Sequence, residues 1–150
     1  MIVLVGVAVL TVLFLNQKPL EVTGFTEYDN GRKKVDIELS NTGSSNVKIT
    51  ELVVDNGTVE EAQLILSYTL QLVGGGIDSN PWAKFVEIND EPIQPRILPD
   101  ELENLEYPHT TPINYGVRIV SNNDIDIVRI KYKYKGVSFV KIVNLNTWPS

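Results

Sequence analysis

The chain has no cysteine and a single histidine. The first absence removes disulfides, thiolate metal sites, thiol nucleophiles and the lipid-modified cysteine of a lipoprotein. The second leaves His109 alone, too little for a histidine-based triad or a multi-histidine metal site. Positive charge is also scarce: 13 Lys and Arg face 19 acids, for a net charge of −6. That balance disfavours non-specific binding to nucleic acid, which is not an expected partner. What is present is a globular composition, 43% hydrophobic and 21% charged over 150 residues. This length suits one ordinary domain with a short appendage.

The appendage lies at the start. Ile2 to Leu15 runs without a charge, and its fourteen residues cover roughly 21 Å as a helix against a hydrocarbon core of about 30 Å. That length matches the apolar region of a signal peptide. However, Phe14-Leu15-Asn16-Gln17-Lys18-Pro19 offers no small-residue cleavage site. The expectation is an uncleaved signal-anchor over residues 1–18, whose start lies a few residues upstream, with a folded domain over 19–150. The alternative, a buried strand or core helix, conflicts with the lack of alternation and of any polar face. Lys18, Arg32, Lys33 and Lys34 follow the run, so a literal positive-inside count places the domain in the cytoplasm. A basic start before Met1 reverses that count, and the expected location is the cell membrane with the domain extracytoplasmic.

After Pro19 the period becomes two. Leu20 to Tyr28 alternates as an edge strand, and Asp29-Asn30-Gly31 supplies a tight turn. Val35, Ile37 and Leu39 alternate with Asp36, Glu38 and Ser40. A turn at Asn41–Asn46 leads to Val47, Ile49 and Leu52–Val54. Leu64, Leu66, Tyr68, Leu70 and Leu72 predict one long strand over Ala62–Val73, ended by Gly74-Gly75-Gly76. Ile77 to Tyr107 carries four of the eight prolines and reads as a long irregular connection. Leu98, Leu102 and Leu105, with Asp100, Glu101 and Glu103, predict one short helix within it. Tyr115, Val117 and Ile119 form another strand. Ile125–Lys135 and Val137–Leu145 form a hairpin turning at Lys135-Gly136.

About seven short strands with one short helix indicate an all-β antiparallel sandwich. The segment Val35-Asp36-Ile37-Glu38-Leu39-Ser40-Asn41-Thr42-Gly43, followed by Val47-Lys48-Ile49, resembles the strand–turn–strand signature of adhesion-type and cell-surface immunoglobulin-like domains. The whole chain resembles small membrane-anchored proteins of Gram-positive bacteria that carry no assigned activity. The resemblance implies an exported immunoglobulin-like β-sandwich with a non-catalytic binding or structural role.

Few residues suggest chemistry. Asp124 and Asp126, or Asp100, Glu101, Glu103 and Glu106, supply carboxylates for a hydrolase or for Ca²⁺. No Asp-x-Asp-x-Asp-Gly loop accompanies them, and solvated acids are the simpler expectation. His109 sits between Pro108 and Pro112 without a Gly-x-Ser-x-Gly elbow. The glycine run lacks the following Lys-Ser or Lys-Thr of a phosphate loop and is expected to be a flexible strand terminus. Asn56-Gly57-Thr58 fits a glycosylation sequon but equally makes a turn. No cofactor or metal is expected.

One organised feature stands out, the alternation of Arg129, Lys131, Lys133 and Lys135 with Val128, Ile130, Tyr132 and Tyr134. Period two places the cations on one face and the apolar side chains on the other. This stripe is the candidate binding site for an anionic polymer, headgroups or an acidic protein. Its competing explanations are a solvated face or protection against edge pairing. A carboxylate-dependent hydrolase and a surface-filament subunit are the alternative functions. The filament lacks the processing site and near-terminal glutamate of a type IV pilin.

Overall fold

In Lys34–Asn41 every second side chain is aliphatic, and a pleated strand sends Val35, Ile37 and Leu39 to one side and Asp36 and Glu38 to the other. The same logic, repeated along the chain, builds two antiparallel sheets in a computed structural model that describes residues 6, 7, 9, 18–28, 31–105 and 110–148. The strands are β1 (Leu20–Glu27), β2 (Lys34–Asn41), β3 (Val47–Val54), β4 (Val59–Ser67), β5 (Ala83–Glu87), β6 (Asn114–Ser121), β7 (Ile127–Tyr134) and β8 (Val137–Asn144). The larger sheet has the order β1-β2-β6-β4-β5 and the smaller the order β3-β7-β8. A short helix, α1 (Pro99–Leu102), carries Asp100 and Glu101 in its first turn, and the Glu101 carboxylate accepts the Leu98 N–H at 2.9 Å.

Aliphatic side chains from both sheets form one core. Val35, Ile37, Leu39, Leu64, Leu66, Val117 and Ile119 of the larger sheet join Val47, Ile49, Leu52, Val128, Ile130 and Tyr132 of the smaller. The chain is therefore a β-sandwich of eight strands, one more than the sequence pattern suggests. The added strand, β5, lies inside the proline-rich stretch expected to be irregular. Its Ala83-Lys84-Phe85-Val86-Glu87 pairs with β4 from Ser67 to Gln63.

The expected strand over Ala62–Val73 does not form as one piece, although its leucines keep their spacing. β6 ends the ladder: its last pair is Asn114 with Ser67, and after Ile113 donates to Ser67 the next residue, Pro112, has no N–H. Past Ser67 the backbone carbonyls of Thr69 and Gln71 are taken by side chains instead, the Ser67 hydroxyl and the Asn114 amide. Residues 68–82 become a strap over the outer face of the larger sheet. Its 3₁₀ turn, Val73–Gly75, presses on Gly116 and Gly24. Under it Ile65, Val73 and Ile77 form a second apolar cluster with Ala83 and Phe85. Of the glycine run, Gly74 is thus packed against β1, while Gly75 and Gly76 face open space.

β1 also departs from simple alternation. A bulge between Val22 and Gly24 shifts the phase, so Phe25 joins Leu20 and Val22 on the core side and Thr26 faces outward. A similar bulge between Ile49 and Glu51 lets Leu52 and Val54 follow Val47 and Ile49 inward. At the β7–β8 turn Lys135 and Gly136 both have positive φ, 50° and 79°, which fits a two-residue hairpin with right-handed strand twist.

Gly6, Val7 and Val9 are helical and exposed. Most of the expected anchor Ile2–Leu15, Asp29 and Asn30 of the first turn, Glu106 and His109 lie outside the described residues. Among the described residues no helix is long and apolar enough to cross a membrane.

Candidate functional site

The β7 alternation produces what its period requires. Tyr132 and Tyr134 are buried, while Arg129 and Lys133 are exposed and Lys131 is partly exposed on the opposite side. Lys135 is exposed too, but it lies past the end of β7 in the positive-φ turn, so the strand period does not place it in that row. Strand pairing extends this row into a surface. Across from Arg129, Lys131 and Lys133 stand Val53, Glu51 and Lys48 on β3, and Ile142, Val140 and Ser138 on β8. Lys48 was not singled out by the sequence, because its pairing with Lys133 joins residues far apart in the chain. The exposed Val140 and Ile142 were missed for the same reason.

Like charges at alternate positions sit roughly 6.6–7 Å apart along a strand, so the row repels itself. The hairpin partner β8 gives no relief, since Lys141 is its one charge. One acid on β3 does: the Glu51 carboxylate meets the Lys131 ammonium at 2.5 Å. Among the described residues Lys48, Arg129 and Lys133 have no such partner. The Lys135 ammonium stands 5.2 Å from the centre of the Tyr134 ring. Tyr134 accepts the Ser44 N–H at 3.2 Å. Burial would raise its hydroxyl, but the Ser44 contacts and the Lys135 charge outweigh that and hold its pKa below the usual phenol value.

Among the described residues the two groups of candidate carboxylates are not brought together. Asp126 pairs with Arg32 at 2.9 Å, and Asp124 lies against Gly31, both beside the turn before β2. Asp100 and Glu101 sit on α1, where Arg96 and Leu102 approach the other end of β2 at Asn41. An open groove of about 300 Å³ lies there, lined by Glu38, Leu70, Leu72, Arg96, Leu102 and Asn114 among others. Glu38, its one acid, is already engaged: it accepts the Thr23 hydroxyl at 2.6 Å and the Gly74 N–H at 3.1 Å.

A buried ionic cluster was invisible in the sequence. Arg118 on β6 donates to both oxygens of Asp36 on β2 and to Asp78 on the strap, at 2.7, 2.7 and 2.6 Å. The Tyr28 hydroxyl donates to Asp36 at 2.6 Å, and the guanidinium lies 4.4 Å from the Phe85 ring centre. Burial, then the Asp36 hydrogen bond and charge, push the Tyr28 hydroxyl up to about 12. The Asp36 hydrogen bond raises Arg118 further against its own burial. Burial alone would raise Asp78, but the Arg118 contact and the nearby Lys34 hold it below its ordinary value. Through Asp78 the cluster ties the strap to the sheet. Arg118 and Asp36 lie far apart in sequence, and nothing in the local pattern of either announces the pair.

No family model, curated protein or solved structure matches the chain.

Proposed function

We propose that the chain is a membrane-anchored extracytoplasmic immunoglobulin-like module with a non-catalytic binding role at the cell surface, held by the apolar segment Ile2–Leu15. The observation that carries the binding role is the exposed cationic face of the smaller sheet within an acidic protein. Lys48, Arg129, Lys131 and Lys133 on that face attract an anionic partner at a distance and lose that attraction as salt rises. The immunoglobulin-like assignment draws support from strand order. β1-β2-β6-β4 against β3-β7-β8 is the A-B-E-D against C-F-G arrangement of constant-type domains, with β5 added beyond the fourth strand. The anchor draws support from the uncharged run that ends three residues before Lys18.

Two measurements test the reading. Replacing Arg129, Lys131, Lys133 and Lys135 together by Gln weakens retention on an anionic surface at low salt and leaves the unfolding transition nearly unchanged. Equal retention removes the binding site. Protease added to intact cells cleaves the domain; a domain protected until lysis refutes the extracytoplasmic location.

A further inference from the structure

The outer face of the smaller sheet is more than a row of cations. Arg129 stands beside Ile142 and Lys131 beside Val140, so the cationic row is flanked along β8 by aliphatic side chains. Ile142 is 60% exposed and Val140 51%. A soluble polyanion gains from the cations and nothing from Val140 or Ile142. An anionic bilayer surface uses both, since its phosphates attract the cations and its headgroup–acyl boundary accepts small aliphatic side chains.

The start of the sandwich lies at the end of β7, beside the inward side chain of Tyr134. The Pro19 carbonyl accepts the Thr42 N–H at 2.8 Å. Pro19, Gly43 and Tyr134 converge so closely that a methyl group on Gly43 would fall 2.6 Å from the Tyr134 hydroxyl and 2.8 Å from the proline ring. Lys18, exposed beside Pro19, therefore stands at the end of β7 that carries Lys133 and Lys135. Three residues separate Leu15 from Pro19, a span of about 10–14 Å at full extension. A bilayer holding the apolar segment can thus be no farther than about 14 Å from Pro19, which lets the cationic end of the face approach it within the screening length of about 8 Å.

We propose that this face docks on the anionic headgroups of the bilayer that holds the apolar segment. Lys48, Arg129 and Lys133 engage lipid phosphate, and Val140 and Ile142 enter the headgroup boundary. The inference rests on the anchored reading above, and its test separates the two.

The absence of native cysteine permits a single label. The full chain carrying Ser138→Cys, on the face, or Glu87→Cys, on the exposed side of β5 in the other sheet, is labelled with a polarity-sensitive dye. Each is reconstituted with phosphatidylcholine vesicles, alone or mixed with phosphatidylglycerol. The dye at position 138 shifts to the blue only with phosphatidylglycerol, and the shift disappears at about 1 M salt, where screening shortens to about 3 Å. The dye at position 87 does not respond. Each of Lys48→Gln, Arg129→Gln and Lys133→Gln lowers the docked-to-undocked ratio about fivefold, the factor for a cation contributing about 1 kcal/mol near an anionic surface. Val140→Ser with Ile142→Ser reduces the shift, whereas an unchanged shift overturns the aliphatic part of the contact. A chain that floats with both vesicles while the 138 dye reads the same in each overturns docking and keeps the anchor. A chain that floats only with phosphatidylglycerol vesicles and shows the shift supports docking and overturns the anchor. A shift seen with soluble polyphosphate and not with phosphatidylglycerol overturns the lipid assignment in favour of a polymer.

Discussion

Arg118 and Asp36 face each other across β6 and β2 as register partners, and the guanidinium holds both carboxylate oxygens at 2.7 Å. The pair lies on the outer side of the larger sheet, away from the main core, where the strap closes over it and Asp78 adds a second anion. Two charges largely removed from water are tolerated because Arg118 Nε and Nη2 and both Asp36 oxygens are hydrogen-bonded to each other, to Tyr28 and to Asp78.

Removing one partner leaves the other charge buried alone. Arg118→Ala is expected to destabilise the fold by about 3–5 kcal/mol. Arg118→Met combined with Asp36→Leu should cost less than Arg118→Ala, because no uncompensated charge remains. Denaturation of the full chain in detergent, followed by circular dichroism, checks both. A double variant less stable than the single one refutes the uncompensated-charge account.

Asp78 gives the strap a pH dependence. Against the effect of burial, Arg118 and Lys34 hold its folded pKa below the ordinary carboxylate value of 3.8. Its contribution is therefore fully present above that value and is lost as pH falls through the lower, folded value. Acid titration should loosen the strap below about pH 4, seen in the fluorescence of Trp82 with Trp148→Phe as background. Asp78→Asn should remove that part of the transition and show already at neutral pH the fluorescence that the native chain reaches only in acid. An acid transition identical in both chains assigns it to other carboxylates.

Much of the sandwich was legible because its signals are local. The Lys135-Gly136 hairpin and the inward Tyr132 and Tyr134 follow from alternation and turn chemistry alone. Simple alternation over Leu20–Tyr28 would turn Phe25 away from Leu20 and Val22, and the bulge that brings it to their side leaves no mark in composition. Leu70 and Leu72 keep strand spacing yet leave the sheet, because Pro112 on the partner segment ends the ladder. The candidate site was half legible. Its β7 row is written in consecutive residues, whereas Lys48, Glu51, Val140 and Ile142 join it only through register.

At Gly116 the strap packs against the sheet with no room for a side chain. A methyl group there would lie 2.6 Å from Val73 Cγ1 and 2.7 Å from the Ile37 carbonyl oxygen. The valine side chain has some room to move; the carbonyl, fixed in the β2–β6 ladder, has little. Gly116→Ala is expected to destabilise by about 1–3 kcal/mol through overpacking. Hydrogen exchange in residues 73–77 should rise more than in β7, and adding Val73→Ala should recover only part of the loss. Uniform exchange across the molecule would point to global destabilisation instead.

Glu51 is the one acid within the face that Lys48, Arg129, Lys131 and Lys133 build, and its contact with Lys131 is solvent-exposed on both sides. Exposed ion pairs contribute about 0–1 kcal/mol, so the fold does not depend on this one. Its effect on the surface field is larger, because Glu51→Gln removes the negative charge from the centre of the row. Glu51→Lys goes further and places a cation opposite Lys131. Retention on an anionic surface should rise from the native chain to Glu51→Gln to Glu51→Lys, with the largest differences at low salt. Stability should fall by less than about 1 kcal/mol, since like charges facing each other across strands repel only weakly in water. Salt-gradient elution from an anionic matrix measures the first quantity and thermal unfolding the second. If Glu51→Lys elutes with the native chain while both remain folded, the face is solvated surface and the binding role assigned to it falls.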